Sequence, residues 1–217
     1  LDLHGFVYGF SYWAIPTLFA ITLREVAHGW TARYCGDRTA ESLARLNLNP
    51  LRHIDPIGTV VIPALLLALG LPIFGWAKPV PVALTELPHA RRAALFTALA
   101  GPAANVAMAL FWCAVMGTII RTSGATVEKW ILLMSYAGIL ANASLAIVYL
   151  LPIPPLDGWR MLAAFLPTGW NRGSEKFAPA GLFIVVGLSV FKMLGWLLIP
   201  TYWAAGQVIS VLSARPT

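Results

Sequence analysis

Charge is what this sequence lacks. Asp, Glu, Lys and Arg together make up 11% of its 217 residues, and only nine are acidic. Soluble domains carry about 25% charged and about 45–50% apolar residues. Here the apolar share is 59% and the mean hydropathy is +0.74. Such a chain cannot face water all round, which excludes a soluble globular protein, and it is too apolar to be disordered. Cysteine is scarce as well. Cys35 and Cys113 show no C-x-x-C spacing, which argues against a disulfide framework or a cysteine metal site. Both read as small apolar side chains. No internal repeat, low-complexity tract or dividing linker is present, so residues 1–217 read as one domain. No basic stripe with interleaved aromatics appears, and the net charge of +6 therefore does not point to nucleic acid. It suits loops lying against an anionic lipid leaflet. What remains is an all-α integral membrane protein, a polytopic helix bundle.

Four apolar runs, residues 6–34, 93–120, 130–151 and 177–199, meet the length of about 20 residues that a membrane helix needs. The first is long and has no basic flank before it, the pattern of a retained helix and not of a cleaved leader. Two further runs are short. Residues 57–71 give roughly 22 Å of helix, less than a hydrocarbon core. Residues 202–212 are shorter still and are expected at the interface. Between the runs lie ARLNLNPLRHIDP at 44–56, GWAKPVPVA at 75–83 and PIPPLDG at 152–158. Their prolines favour turns and extended, edge-type chain. Irregular backbone beside membrane spans is tolerated where it is buried in protein or lines a watery cavity. A polar cavity roofed by re-entrant or extended loop segments is predicted.

The chemistry-bearing residues lie beside those loops. Residues 23–29 read LREVAHG, one residue away from H-E-x-x-H. In that motif two histidines four apart share a helix face and bind zinc, and the Glu activates the metal-bound water. Here Glu25 and His28 are in place and the first position is Arg24. Charged residues in a membrane helix cost about 2.5–3.5 kcal/mol each on insertion scales and mark function. The competing reading is a snorkelling arginine near a helix end, with His28 satisfied inside the bundle. Asp157, in LPIPPLDG, follows a proline-rich break. It suits either a third zinc ligand or a helix N-cap. Asn105, in AGPAAN, needs a buried partner, while the small residues before it permit close helix approach.

REVAHG, LNLNPLRHIDPIGT, FGWAKPVPV, AGPAAN and LLPIPPLDG occur in the order of the site-2 protease family. Across roughly residues 14–166 the chain resembles that family, above all its short bacterial members without a PDZ domain. The resemblance implies an intramembrane zinc metalloprotease of the bacterial inner membrane that cuts transmembrane segments of other proteins. Carried over by position, the zinc ligands fall on Arg24, His28 and Asp157 and the general base on Glu25. The family's Asn in the substrate or oxyanion region becomes Tyr149, with Asn105 in the same region. Smaller departures are Ala83, often Asn, and Trp159, usually Gly. Arginine has no lone pair to offer a metal.

Charge placement gives an independent expectation. If Asp157 is to reach His28, residues 33–92 stay on one side of the membrane, with 57–71 re-entrant or paired with a second partial crossing. That side then holds Arg33, Arg38, Arg45, Arg52, Lys78, Arg91, Arg92, Arg160, Arg172 and Lys176, against Arg121 and Lys129 opposite. Ten against two places the site toward the cytoplasm by the positive-inside rule. Three functions fit. An active metalloprotease would need a replacement ligand, for which His53 is the one candidate, although a loop role suits His53 better. A non-catalytic member would bind membrane-protein clients without zinc, with Arg24 supplying the missing positive charge. A transporter is disfavoured by the lack of repeated halves.

Overall fold

A computed structural model describes residues 3–71, 74–122, 126–166 and 175–213. Arg172 lies outside the described residues. The chain is helical, with no strand among the described residues. It comprises α1 (Leu3–Tyr34), α2 (Thr39–Ser42), α3 (Ile62–Ala68), α4 (Ala90–Thr122), α5 (Thr126–Tyr149), α6 (Asp157–Ala163), α7 (Ala178–Val190) and α8 (Met193–Ser213). By length and composition, α4 and the Lys129–Tyr149 part of α5 are apolar enough to cross a membrane, with mean hydropathies of 1.9 and 2.0. α1 has the length, at 32 residues, but polar side chains from Tyr8 and Ser11 to Glu25 dilute its apolar character, and it is not among them. These three helices pack on one another as the central unit.

The last long run differs from expectation. Residues 177–199 were expected to form a single span, yet the chain breaks after Val190 and turns by 71° into α8. Lys192 sits at the break with φ 60°, a left-handed conformation. The 202–212 run is not a separate interfacial piece but the continuation of α8. By length and composition α7 and α8 together form either a third span, broken in its middle, or a re-entrant pair.

Residues 57–71 make an excursion and return. Asp55 caps the start, accepting from the amides of Ile57 and Gly58, and a wide helical turn over Pro56–Val61 leads into α3. The apolar helix Pro56–Ala68 is too short to cross. The chain then comes back: the Trp76 amide donates to the Gly58 carbonyl at 3.1 Å and the Lys78 amide to the His53 carbonyl at 2.8 Å. Amides two residues apart turning to the same side is the habit of extended chain. Residues 74–83 run in this way without building a ladder, since Pro79 and Pro81 have no amide to give. Arg45 binds this segment to the preceding loop by donating to the carbonyls of Arg52 and Lys78.

The main core joins α1, α3, the returning segment, α5, α7 and α8. Ile21 of α1, Leu66 of α3, Phe74, Leu145 and Val148 of α5, Leu156, Val185 of α7 and Leu198 of α8 are buried together. A smaller cluster unites Trp112 and Met116 of α4 with Ile139 of α5 and Ala205 of α8. Outward, Leu110 and Phe111 on α4 and Phe183, Phe191 and Trp196 on the broken pair stand exposed. Apolar exposure on this scale suits lipid rather than water.

Candidate functional site

The site forms where the C-terminal third of α1 meets the start of α6. Arg24 and His28 are four apart and therefore share a face of α1. Arg24, Glu25 and His28 are all buried. Opposite them, Pro152, Pro154 and Pro155 prevent α5 from continuing, and the chain folds back into α6. Gly158 makes that fold-back possible, because a Cβ there would collide with the carbonyls of Leu150 and Leu151. Asp157 is thereby delivered as the first residue of α6, fully buried. Leu156 takes the N-cap position, so Asp157 is not the cap that the Leu-Asp-Gly turn allowed for.

Arg24 organises the charges. Nη2 donates to Asp157 Oδ2 at 2.6 Å and Nη1 donates to Glu25 Oε1. The guanidinium also lies over the Tyr149 ring, with Cζ 3.3 Å from its centroid, a cation–π stack. The other oxygen of Glu25, Oε2, accepts from the Val80 amide at 3.1 Å. Both oxygens of the expected general base are therefore engaged.

His28 is held from behind. Its Nδ1 lies 2.6 Å from the Thr97 carbonyl of α4. A carbonyl only accepts, so Nδ1 carries the proton and Nε2 faces forward. Nε2 stands 3.4 Å from Asp157 Oδ2 and has no hydrogen-bond partner among the described residues. Gly101 of α4 creates the space: a Cβ there would lie 2.5 Å from His28 Nε2 and 2.8 Å from Asp157 Oδ2.

An imidazole fixed through Nδ1–H with Nε2 forward is the posture of a metal ligand. The rest of the donor set does not match it. A catalytic zinc takes three protein ligands and a water. Here His28 and Asp157 are joined by Arg24, a fixed cation without a lone pair, bonded to the carboxylates that a metal would use. Among the described residues no group of three or more His, Cys, Asp or Glu could hold a metal. His53 does not supply the missing ligand. It is buried in the 44–56 loop, with Nε2 2.7 Å from the Asn47 carbonyl. The residues present do not fit a catalytic zinc.

The other expected positions are distributed around this cluster. Tyr149, the last residue of α5, donates its hydroxyl to the Gly75 carbonyl at 2.8 Å, with its ring 5.8 Å from that of Phe74. Asn105 is fully buried. It donates to Asn142 Oδ1 at 3.1 Å and to the Ala20 carbonyl at 3.3 Å, joining α4 to α5 and α1 and bonding no member of the charged cluster. The Ala83 amide donates to Asp37 Oδ2 at 2.6 Å. Asp37, just past α1, also accepts from the amide and hydroxyl of Thr39. Burial alone would raise its pKa, but the Thr39 and Ala83 donors outweigh it and hold the carboxyl below the usual carboxylate range.

Thr97, Gly101, Asn142, Gly75 and Val80 did not stand out in the sequence. Four of them act through backbone atoms or a missing side chain, which leave no chemical signature. Asn142 carried a usable signal, as a second amide side chain in an apolar helix.

Among known proteins, the chain is 31% identical over 192 residues to the protein named "Putative zinc metalloprotease YwhC" of Bacillus subtilis, covering 87% of this chain and 84% of the relative. It is 29% identical over 187 residues to "Putative zinc metalloprotease Rip2" of Mycolicibacterium smegmatis, covering 86% of this chain and 70% of that protein. The Rip2 of Mycobacterium tuberculosis is 30% identical over 193 residues, with the same coverage of 86% and 70%. No family model matches the chain. No solved structure matches it either. A relative of this identity, aligned over most of both chains and joined to a helical fold with membrane-spanning helices, places the chain in the site-2 protease family.

Proposed function

We propose that this chain is a non-catalytic member of its family. It keeps the family's helical cavity, holds that cavity together with Arg24 in place of a metal, and binds transmembrane segments of other membrane proteins without cutting them. One observation carries the reading: the Arg24 guanidinium lies between Glu25 and Asp157 and pairs with both. Two carboxylates and one guanidinium form charge-assisted pairs, which are stronger than neutral hydrogen bonds. Each oxygen of Glu25 is then held by a donor of the chain itself, Arg24 on one and the Val80 amide on the other.

The reading extends to orientation. The basic residues gather beside the site, and the positive-inside rule turns that asymmetry into a cytoplasmic site in a bacterial inner membrane.

A second reading has one observation in its favour. The forward-facing Nε2 of His28 suits a zinc hydrolase that completes its ligand set differently. A cleavage assay separates the two. Full-length protein in proteoliposomes is given a single-span reporter, with and without added zinc and a chelator, beside Glu25→Gln. The non-catalytic reading expects no cleavage above the Glu25→Gln background under either condition. Cleavage that needs Glu25 and is abolished by the chelator would overturn it.

A further inference from the structure

Arg24 and Tyr149 touch more than the two carboxylates. Together they hold residues 74–83, the returning segment of the excursion, at two points five residues apart. At one end Tyr149 donates its hydroxyl to the Gly75 carbonyl at 2.8 Å, and its ring lies against Phe74. At the other end the Val80 amide donates to Glu25 Oε2 at 3.1 Å. The two ends meet at Arg24, which bonds Glu25 through Nη1 and stacks on the Tyr149 ring at 3.3 Å. Gly29, one turn beyond Glu25, lets the segment lie close, because a Cβ there would come within 2.9 Å of Val80 Cγ1.

We propose that Arg24 and Tyr149 act as one clamp, holding residues 74–83 down over the polar cluster so that the chain's own backbone closes the site. The inference rests on the non-catalytic reading in one respect, that Arg24 is a permanent structural cation. Each half of the clamp has its own physics. The phenol hydroxyl holds the Gly75 end alone. The ring holds the Val80 end indirectly, by fixing the guanidinium that fixes Glu25. Tyr149 is a positioning residue here, since it reaches Val80 only through Arg24 and Glu25.

The other backbone bonds of the segment do not pass through the clamp. The Trp76 and Lys78 amides bond to the 53–58 loop, and the Ala83 amide to Asp37. Releasing the clamp should therefore free the face toward α1 and α5 while leaving the segment attached to its loop.

Hydrogen–deuterium exchange on the full chain in nanodiscs tests this with Tyr149→Phe and Tyr149→Leu. Tyr149→Phe keeps the ring and loses the hydroxyl. It should speed exchange at the Gly75 and Ala77 amides by about five- to tenfold, the order of one net hydrogen bond, and leave Val80 and the loop-bonded Trp76 amide unchanged. Tyr149→Leu loses both, and should also speed Val80 by a similar factor. Amides in the middle of α4 and α5 should keep wild-type protection in both variants, which separates clamp release from general loosening. Unchanged exchange at residues 74–80 in both variants would overturn the clamp. So would acceleration at Val80 in Tyr149→Phe equal to that in Tyr149→Leu. If Tyr149→Leu does not fold, the Phe variant still decides the Gly75 end. Metal content of the same wild-type sample distinguishes the two failures: bound zinc there removes the non-catalytic reading, whatever the exchange shows.

Discussion

The Asn105–Asn142 pair and the Arg24–Glu25–Asp157 cluster both bury polar atoms in the bundle, and they do so in opposite ways. The amide pair is neutral and local to three helices. Asn105 donates to Asn142 and to the Ala20 carbonyl, while Asn142 donates to the Gly138 carbonyl of its own helix. Among the described residues one acceptor, Asn105 Oδ1, is left over. The charged cluster leaves His28 Nε2, Asp157 Oδ1 and Arg24 Nε without hydrogen-bond partners among the described residues. An unsatisfied buried neutral acceptor costs about 1–3 kcal/mol, and unmet capacity on a charged group costs more. The amide pair therefore reads as glue between helices. The charged cluster holds unmet hydrogen-bonding capacity, which is the ground for proposing it as the site.

The largest effect should come from removing the centre of the charged cluster. Arg24→Met strands two carboxylates in the bundle, and loss of one partner of a buried ion pair costs about 3–5 kcal/mol. Equilibrium unfolding in detergent should show a loss of that order. Adding Glu25→Gln and Asp157→Leu to the same chain should recover most of it, because no unpaired charge then remains. An Arg24→Met variant as stable as wild type would remove the distinction between the two regions.

Next in size is the space that each region needs. Gly101→Val pushes a side chain against His28 and Asp157 and should cost about 1–3 kcal/mol by overpacking. Gly138 plays the matching part beside the amide pair, since a Cβ there would collide with the Trp112 ring. Gly138→Val should destabilise the chain comparably. Only the Gly101 variant should also alter the environment of His28, read as a shift of its imidazole resonances.

A smaller loss is expected from the amide pair. Asn142→Leu should cost about 0.6 kcal/mol, the average for a side-chain hydrogen bond between membrane helices. A loss as large as that of Arg24→Met would show that the neutral pair, not the charged cluster, holds the bundle.

At the rim, Asp37 offers the mildest case: a carboxylate satisfied by neutral donors alone. Its pKa is held below the unfolded value, so the stability it contributes is present above the unfolded pKa and is lost as pH falls through the folded one. Acidification below about pH 4 should therefore lower the thermal midpoint less in Asp37→Asn than in wild type.

Much of this contrast was legible in the residues, and the rest was hidden for identifiable reasons. Glu25, His28 and Asp157 were visible because charge is rare in apolar sequence and because the spacing on α1 follows the helical period. That Arg24 cannot itself serve as a metal ligand followed from its chemistry. The second partner of Glu25 did not, because it is a backbone amide, and Val80 announces nothing. Thr97 is equally silent, acting on His28 through its carbonyl. Asn105 was expected to need a buried partner, but the partner Asn142 lies 37 positions away and only the packing of α4 on α5 brings it near. The broken span after Val190 was hidden for another reason. Hydropathy counts composition, and the left-handed turn at Lys192 changes direction without interrupting an apolar run.

Whether Arg24 stands in place of a metal is decided most directly by the metal content of the purified full chain, wild type beside Arg24→His, measured by mass spectrometry after expression with ample zinc. The structure leads to wild-type protein with no zinc above background and Arg24→His protein with close to one zinc per chain, held by the new imidazole with His28 and Asp157. Stoichiometric zinc in the wild type would contradict it.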